Sequence, residues 1–248
     1  MNKHRIFNIL FLCTQLGAQH YGRCNRQDEM ILGRRLTAEA LGTALLLAVV
    51  IGSGIMGEQL SGGNVAIALL ANSIATGAAL YALILVFAPI SGAHFNPAVT
   101  LVVALNRQMQ WSDALAYAGA QVAGAFAGVA AAHAMFGEPL FFASQHQHTG
   151  AAQWWAEGVA TFGLLIVILG SMRQSLPAVA AAVGAYITAA YWFTASTSFA
   201  NPAVTLARAA SNTFTGIRPV DAPAFVLAQL AGALVAAGIM RWLVSSQK

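Results

Sequence analysis

The chain has 248 residues and a net charge of +4; 58% of its residues are hydrophobic and only 8% are charged. Soluble domains carry about 25% charged residues, so this composition excludes a soluble globular protein and indicates an all-α membrane protein. The twelve Lys and Arg residues are spread along the chain rather than gathered in a patch, which argues against a nucleic-acid partner.

Residues 1–30 form an N-terminal extension, which we expect to be disordered or to precede the true start at Met30. Lys3 and Arg5, followed by a short apolar stretch, leave a targeting role open, although no convincing cleavage site follows. Both cysteines, Cys13 and Cys24, lie in this extension. We therefore expect no disulfide and no thiolate metal site in the folded domain, residues 31–248.

Six apolar stretches are long enough to cross a bilayer as helices, which takes about 20 residues each. In chain order they are Leu36 to Met56, Val65 to Phe87, Ala114 to Phe136, Trp154 to Met172, Leu176 to Ala195 and Phe225 to Val244. An even number of spans puts both termini on one side of the membrane. Because all but two of the Lys and Arg residues fall on that side, the positive-inside rule predicts that the termini are cytoplasmic.

The chain consists of two similar halves, residues 36–136 and 154–244. Span one opens with the segment from Ala38 to Thr43, which contains Glu39. Span four opens with a similar segment, from Ala156 to Thr161, which contains Glu157. The segment from Gly119 to Ala125 in span three likewise matches the segment from Leu227 to Ala233 in span six. Each half holds three spans, an odd number, so the second half must be inverted in the membrane, with the functional site near the midplane.

The same six residues, Asn-Pro-Ala-Val-Thr-Leu, occur in both halves between the second and third span, beginning at Asn96 and at Asn201. Asn is a favoured N-cap and Pro is favoured at the first helical position, so each copy predicts a helix start. The apolar stretches that follow, Val99 to Leu105 and Val204 to Ala210, are too short to cross. We predict two re-entrant half-helices that meet tip to tip and line a water-filled path.

With these paired motifs, the stretch Ser91 to Thr100 and the repeated Ala-Glu segments, the chain resembles the aquaporin, or major intrinsic protein, family from Leu36 to Val244. The resemblance implies six transmembrane helices and two half-helices in an aquaporin-like bundle. It also implies a homotetramer in lipid with one pore per subunit, and passive conduction of water or small uncharged solutes without catalysis or cofactor. The pore motifs are then Asn96, Pro97, Ala98, Asn201, Pro202 and Ala203.

Glu39 and Glu157 are ionisable groups inside spans, a feature that raises the hypothesis of ion coupling. The resemblance implies instead that both accept hydrogen bonds from the backbone of the pore loops, and that His94 braces the first loop or lines the cytoplasmic vestibule. A secondary transporter that couples ions through these glutamates remains the alternative. No His-Glu-x-x-His pair or other catalytic motif favours an enzyme.

Water-selective members of the family narrow the pore at four positions, which are set by their spacing from the two Asn residues. By that spacing the positions are Thr76, Ala189, Ser198 and Val204, so no aromatic, histidine or arginine remains. The chain thus resembles bacterial, arsenic-associated aquaglyceroporin-like members of an inner membrane. The resemblance implies a wide constriction that passes glycerol-like polyols, urea-like solutes or neutral metalloid hydroxides such as arsenite; an ordinary water-selective aquaporin is the alternative.

Three further polar residues have two interpretations each. Arg208 lies one helical turn beyond Val204, and we expect it in the outer vestibule or at the surface unless it reaches back toward the constriction. His146 and His148 have a spacing that could bind a metal, but without a third ligand nearby we predict a solvated loop and no metal site.

Overall fold

A computed structural model describes residues 31–245, which form eight helices and no strand. The helices are α1 (Leu32–Leu60), α2 (Val65–Ser91), α3 (Pro97–Leu105), α4 (Trp111–Phe136), α5 (Ala151–Ser171), α6 (Leu176–Phe193), α7 (Pro202–Arg208) and α8 (Ala222–Ser245). The predicted N-terminal extension lies outside the described residues.

The six predicted spans are confirmed as helices. By length and composition α1, α2, α4, α5, α6 and α8 can each cross a membrane. Most run past the apolar stretch that predicted them, because a helix keeps its backbone hydrogen bonds after the sequence turns polar. α1, for example, begins at Leu32 rather than Leu36 and ends at Leu60 rather than Met56.

Local signals fix several helix ends. The Asn64 side chain caps α2 by accepting hydrogen bonds from the N–H groups of Ala66 and Ile67, at 3.1 and 3.3 Å. α2 ends at Gly92, which has a φ of 93°, and α4 ends at Gly137, which has a φ of 74°. Both glycines take the left-handed conformation that ends a helix without a Cβ penalty.

Small residues let the helices pack closely within each half. α1 packs against α4 where Gly124 faces the carbonyl group of Ala40, and α5 packs against α8 where Gly232 faces the carbonyl group of Gly158. The two contacts occupy equivalent places in the two halves, and α2 packs on α6 across the halves. Close approach over small residues is the usual means of helix association in a bilayer, where hydrophobic burial contributes little.

The two half-helices, α3 and α7, are buried in the centre of this bundle. Each begins at the proline of its motif, and Ala98 and Ala203 are both fully buried. α7 ends at Arg208, two residues before the predicted end at Ala210, because its last turn tightens into hydrogen bonds between residues three apart. The irregular segments that precede them are called here the first loop (residues 92–96) and the second loop (residues 194–201).

The outer surface of the bundle is apolar. Trp155 is 75% exposed, Leu115 is 73% exposed and Trp242 is 72% exposed. An outer surface with so many large apolar side chains faces lipid rather than water. With six apolar helices, the chain is a multi-pass membrane protein.

Candidate functional site

The two Asn-Pro-Ala motifs cap their half-helices in the same way. Asn96 has extended backbone geometry, and its Oδ1 accepts a hydrogen bond from the N–H of Ala98 at 2.9 Å. In the second copy, Oδ1 of Asn201 accepts from Ala203 at 3.0 Å. Each cap leaves the Nδ2 donors pointing away from its own helix.

Those Nδ2 donors link the two halves reciprocally. Asn96 donates to the carbonyl group of Ala200 at 2.7 Å, and Asn201 donates to the carbonyl group of Phe95 at 2.7 Å. A primary amide has two N–H groups, so each Asn keeps a second donor beyond this contact. Both half-helices therefore present their N-terminal dipole ends and an amide donor to one central point.

Glu39 holds the first loop. Its Oε1 accepts from Ser91 Oγ at 2.6 Å and from the His94 N–H at 3.0 Å, and its Oε2 accepts from the Phe95 N–H at 2.7 Å and from Gln121 at 2.8 Å. The carboxylate is fully buried. Every donor that meets it belongs to the loop or to a helix beside the loop, so Glu39 lies where the family resemblance expected it.

Glu157 holds the second loop in the same way. Its oxygens accept from the N–H groups of Phe199 at 2.8 Å and Ala200 at 2.9 Å, and from Gln229 at 2.5 Å. Gln229 also donates to Thr205 at 2.8 Å, as Gln121 does to the equivalent threonine of the first half. The two glutamines went unassigned in the sequence, although their equivalent places in the repeat were a usable signal.

The loops need such anchors because their backbone is strained. Ala93 and Phe95 in the first loop, and Thr197, Ser198 and Ala200 in the second, have φ values between 49° and 60°. For residues other than glycine this left-handed region costs about 1–3 kcal/mol each and persists only when the surroundings fix it. The buried carboxylates supply that fixation by accepting the loop N–H groups.

His94 sits beside the first motif. Its Nδ1 lies 3.0 Å from Thr100 Oγ1, and its ring centroid lies 5.4 Å from that of Tyr117. Both contacts tie the first loop to its surroundings, which fits the bracing role that the resemblance implied.

Three of the four constriction residues predicted from spacing are buried: Thr76 is 3% exposed, Ser198 is 3% and Val204 is 5%. Ala189 is the exception. It lies on the exposed side of α6, whose buried face includes Ile187 and Tyr191. Since two residues correspond to about 200° of helix rotation, Ala189 points away from the bundle interior.

The α6 residue that contacts Thr76 is Tyr191. Its hydroxyl lies 3.2 Å from Thr76 Oγ1, and the residue is only 3% exposed. An aromatic side chain therefore stands beside Thr76 after all, contrary to the expectation that none remained. The helical phase of α6, with apolar residues at 183, 187 and 191, was the signal that could have found it.

Arg208 is buried rather than at the surface. It is 3% exposed, its Nε donates to the carbonyl group of Thr215, and its guanidinium carbon lies 3.3 Å from the centroid of the Phe199 ring. Phe199 belongs to the second loop, two residues before Asn201. The guanidinium thus lies against the second loop, so the prediction of a surface position is wrong, while a place in the outer vestibule or at the constriction stays a prediction.

The loop between α4 and α5 is anchored rather than simply solvated. Phe142 and Ser144 donate backbone hydrogen bonds to Ala210 and Ala209, at 3.1 Å each. His148 is half-buried, with its ring centroid 5.4 Å from that of Phe199 and 5.7 Å from that of Phe225. The prediction of a solvated loop holds for the exposed His146 but is wrong for His148.

Electrostatics follow from this anchoring. Burial, together with the charge of Arg208, lowers the pKa of His148 to about 4, so its ring is neutral at pH 7. Asp221 accepts from the His148 N–H at 3.0 Å and forms an ion pair with Arg218 at 3.0 Å. Burial opposes ionisation of Asp221, but the hydrogen bonds from Arg218, His148 and Thr149 outweigh it and lower its pKa to about 2.

Within residues 31–245 no group of three His, Cys, Asp or Glu side chains is placed to hold a metal ion.

Comparison with known proteins gives consistent matches. The family model described as Major intrinsic protein matches residues 27–176 and 170–248. The chain is 58% identical over 217 residues to Aquaglyceroporin AqpS of Rhizobium meliloti (strain 1021), covering 88% of this chain and 93% of that protein. It is 34% identical over 196 residues to Aquaporin NIP2-3 of Zea mays, covering 75% and 63% respectively.

Among solved structures, the X-ray structure of the aquaglyceroporin from Plasmodium falciparum matches with a TM-score of 0.67 and 23% identity, covering 84% of this chain and 95% of that one. At 23% identity this match shows a similar fold and nothing about function.

Proposed function

Because this chain belongs to the major intrinsic protein family, we propose that its two Asn-Pro-Ala tips and the adjacent constriction form the conducting path of a passive channel. The protein is a membrane channel and not an enzyme. The observation that carries the proposed path is the reciprocal contact of Asn96 and Asn201, which aims two helix N-termini and two amides at one point. Such a site orients hydroxyl oxygens without a charge that attracts ions.

The proposed solutes are water and small uncharged hydroxylated molecules: glycerol-like polyols, urea-like solutes and neutral metalloid hydroxides such as arsenite. Thr76, Ser198 and Val204 are small, and the Tyr191 hydroxyl is held toward Thr76 on α2. The side chain at position 204 itself adds neither a ring nor a charge to the constriction. A relative named an aquaglyceroporin, at 58% identity, supports the glycerol end of this range.

The transporter alternative depends on glutamates that are free to bind and release an ion. Both oxygens of Glu39 and both oxygens of Glu157 already accept hydrogen bonds from fixed donors. Releasing them would leave strained loop N–H groups without acceptors in a buried site, which is costly. This favours a structural role for the two glutamates.

We further propose that the channel works as a homotetramer in an inner membrane, with both termini in the cytoplasm. The apolar outer surface supports contacts with lipid and with other subunits. The placement of ten of the twelve Lys and Arg residues on the side of the termini supports the orientation.

The test is a panel of solute fluxes. The purified full chain is reconstituted in proteoliposomes, and volume changes are followed by stopped-flow light scattering in water, glycerol, urea and arsenite gradients. We expect glycerol and arsenite flux well above that of protein-free liposomes, without saturation or dependence on an ion gradient. Conduction of water alone would favour the ordinary water-selective aquaporin. Saturating flux that needs an ion gradient would favour the transporter.

A further inference from the structure

Arg208 is a buried cation in the last turn of α7. Its guanidinium lies on the Phe199 ring and its Nε donates to the carbonyl group of Thr215. Among residues 31–245 no carboxylate forms an ion pair with it, and its two terminal nitrogens have no hydrogen-bond partner. Because an unpaired charge in a dry interior is costly, the terminal N–H groups must meet water.

The surroundings of Arg208 indicate where that water lies. Phe199, under the guanidinium, belongs to the second loop next to the motif of Asn201. Tyr191 is within electrostatic range of Arg208 and bonds to Thr76. Val204 lies one turn earlier on the same half-helix. The guanidinium is thus grouped with the residues of the proposed constriction, on the side where α7 ends.

Two further titratable groups lie within electrostatic range of Arg208, His148 and Glu157. His148 is neutral at pH 7, since its pKa is lowered to about 4 by burial and by Arg208 itself. Glu157 is the nearby carboxylate, and its oxygens accept from Phe199, Ala200 and Gln229. Glu157 is within electrostatic range of Arg208 but forms no ion pair with it, so the guanidinium is the cation of this group of residues.

The charge also distinguishes the two ends of the path. The motifs are identical through the leucine, yet the position equivalent to Arg208 in the first half is Val103. Val103 is half-buried and apolar. Only the end formed by α7 therefore carries a cation in the wall of its half-helix.

We propose that Arg208 is a specificity-determining residue, whose guanidinium supplies the fixed positive charge of the constriction in place of a side chain at Val204. It repels protons and metal cations, and its free N–H groups bind the hydroxyl oxygens of passing solutes. This inference rests on the proposed channel function.

The first experiment removes the charge by substitution. Proteoliposomes with an internal pH dye and a clamped membrane potential report proton flux, and stopped-flow scattering of the same vesicles reports water flux. We expect Arg208→Gln to raise the ratio of proton flux to water flux by about tenfold or more. Arg208→Lys keeps the charge and should stay proton-tight. Arg173→Gln, which removes an exposed arginine in the turn between α5 and α6, is the matched control and should also stay tight.

The second experiment removes the charge after folding, so that it does not depend on the stability of the glutamine variant. The chain has only two lysines, Lys3 and Lys248, both at its ends. In proteoliposomes of Arg208→Lys, an amine-acetylating reagent that does not cross membranes should modify position 208 through the water-filled path. We expect proton flux to rise on acetylation, with mass spectrometry confirming the site and the treated wild type unchanged.

The results separate this inference from the proposed function. Wild-type vesicles without water or solute flux would overturn the channel path itself. Intact water flux with a proton-tight Arg208→Gln would overturn only the role of Arg208. Failure of the reagent to reach position 208 in conducting Arg208→Lys vesicles would overturn it as well.

Discussion

Replacing Glu39 by glutamine tests whether the buried carboxylate holds the first loop. Each carboxylate oxygen accepts one backbone N–H, from His94 at 3.0 Å or from Phe95 at 2.7 Å. A glutamine has one acceptor oxygen and one NH₂ group, so in either orientation one of the two loop N–H groups faces another donor. The substitution therefore leaves at least one buried N–H without an acceptor.

The size of the effect follows from that count. A buried, unsatisfied N–H costs about 1–3 kcal/mol, and the remaining bonds weaken when their acceptor loses its charge. Removing the buried negative charge of Glu39 recovers part of this free energy. We expect a net destabilisation of about 2 kcal/mol, which corresponds to a fall of roughly 4–8 °C in the thermal midpoint of a chain of this length.

The assay is thermal unfolding of the purified full chain in detergent, followed by circular dichroism, with solute flux measured in parallel. Glu58→Gln, at an exposed position near the end of the same helix α1, is the control and should shift the midpoint by less than about 1 °C. An unchanged midpoint for Glu39→Gln would refute the anchoring argument. A normal midpoint with loss of ion-coupled flux would favour the transporter instead.

Three further predictions concern the constriction and the outer loop. Val204→Arg should reduce glycerol flux much more than water flux in the stopped-flow assay, and an equal loss of both would show that position 204 does not line the path. Ala189→Leu should leave both fluxes unchanged while Tyr191→Leu changes the ratio of glycerol to water flux; the reverse pattern would restore the spacing-based assignment. The pKa of the His148 ring is 6.5 in the unfolded chain and is lowered to about 4 in the folded protein. As the pH falls, the unfolded chain therefore binds a proton at this ring before the folded protein does. The stability of the fold should fall as the pH drops from about 6.5 toward 4. Thermal midpoints measured across this range should fall less steeply in His148→Gln, and equal slopes would contradict the burial of His148.

Much of the fold was predictable because its signals are local. The six spans follow from runs of apolar residues, and the two half-helices follow from an N-cap and a proline. That the second half is inverted in the membrane stays a prediction, made by counting three spans in each half. Glu39 and Glu157 were linked to the pore loops only through the family resemblance, since nothing local tells a buried glutamate which N–H groups it will meet.

The constriction was less predictable because spacing along a chain does not fix the direction of a side chain. Counting twelve residues back from Asn201 leads to Ala189, but α6 remains helical to Phe193, and its rotation turns Tyr191 inward instead. The position of Arg208 depends on a contact with Phe199 in another segment. The burial of His148 depends on Phe225 and Asp221, more than seventy residues away, which no local pattern reveals.

The mutual contact of Asn96 and Asn201 has a consequence for how such a protein could arise. Each asparagine donates to the carbonyl group just before the other, so the contact is self-complementary, like an interface between two copies of one subunit related by a two-fold axis. A single half, paired with its own duplicate, would already satisfy both amides. Joining the two copies into one gene would keep this contact while allowing the sequence of each half to change separately. The difference between Arg208 and Val103 is such a change, because in a symmetric dimer of identical halves a substitution would occur at both ends of the path.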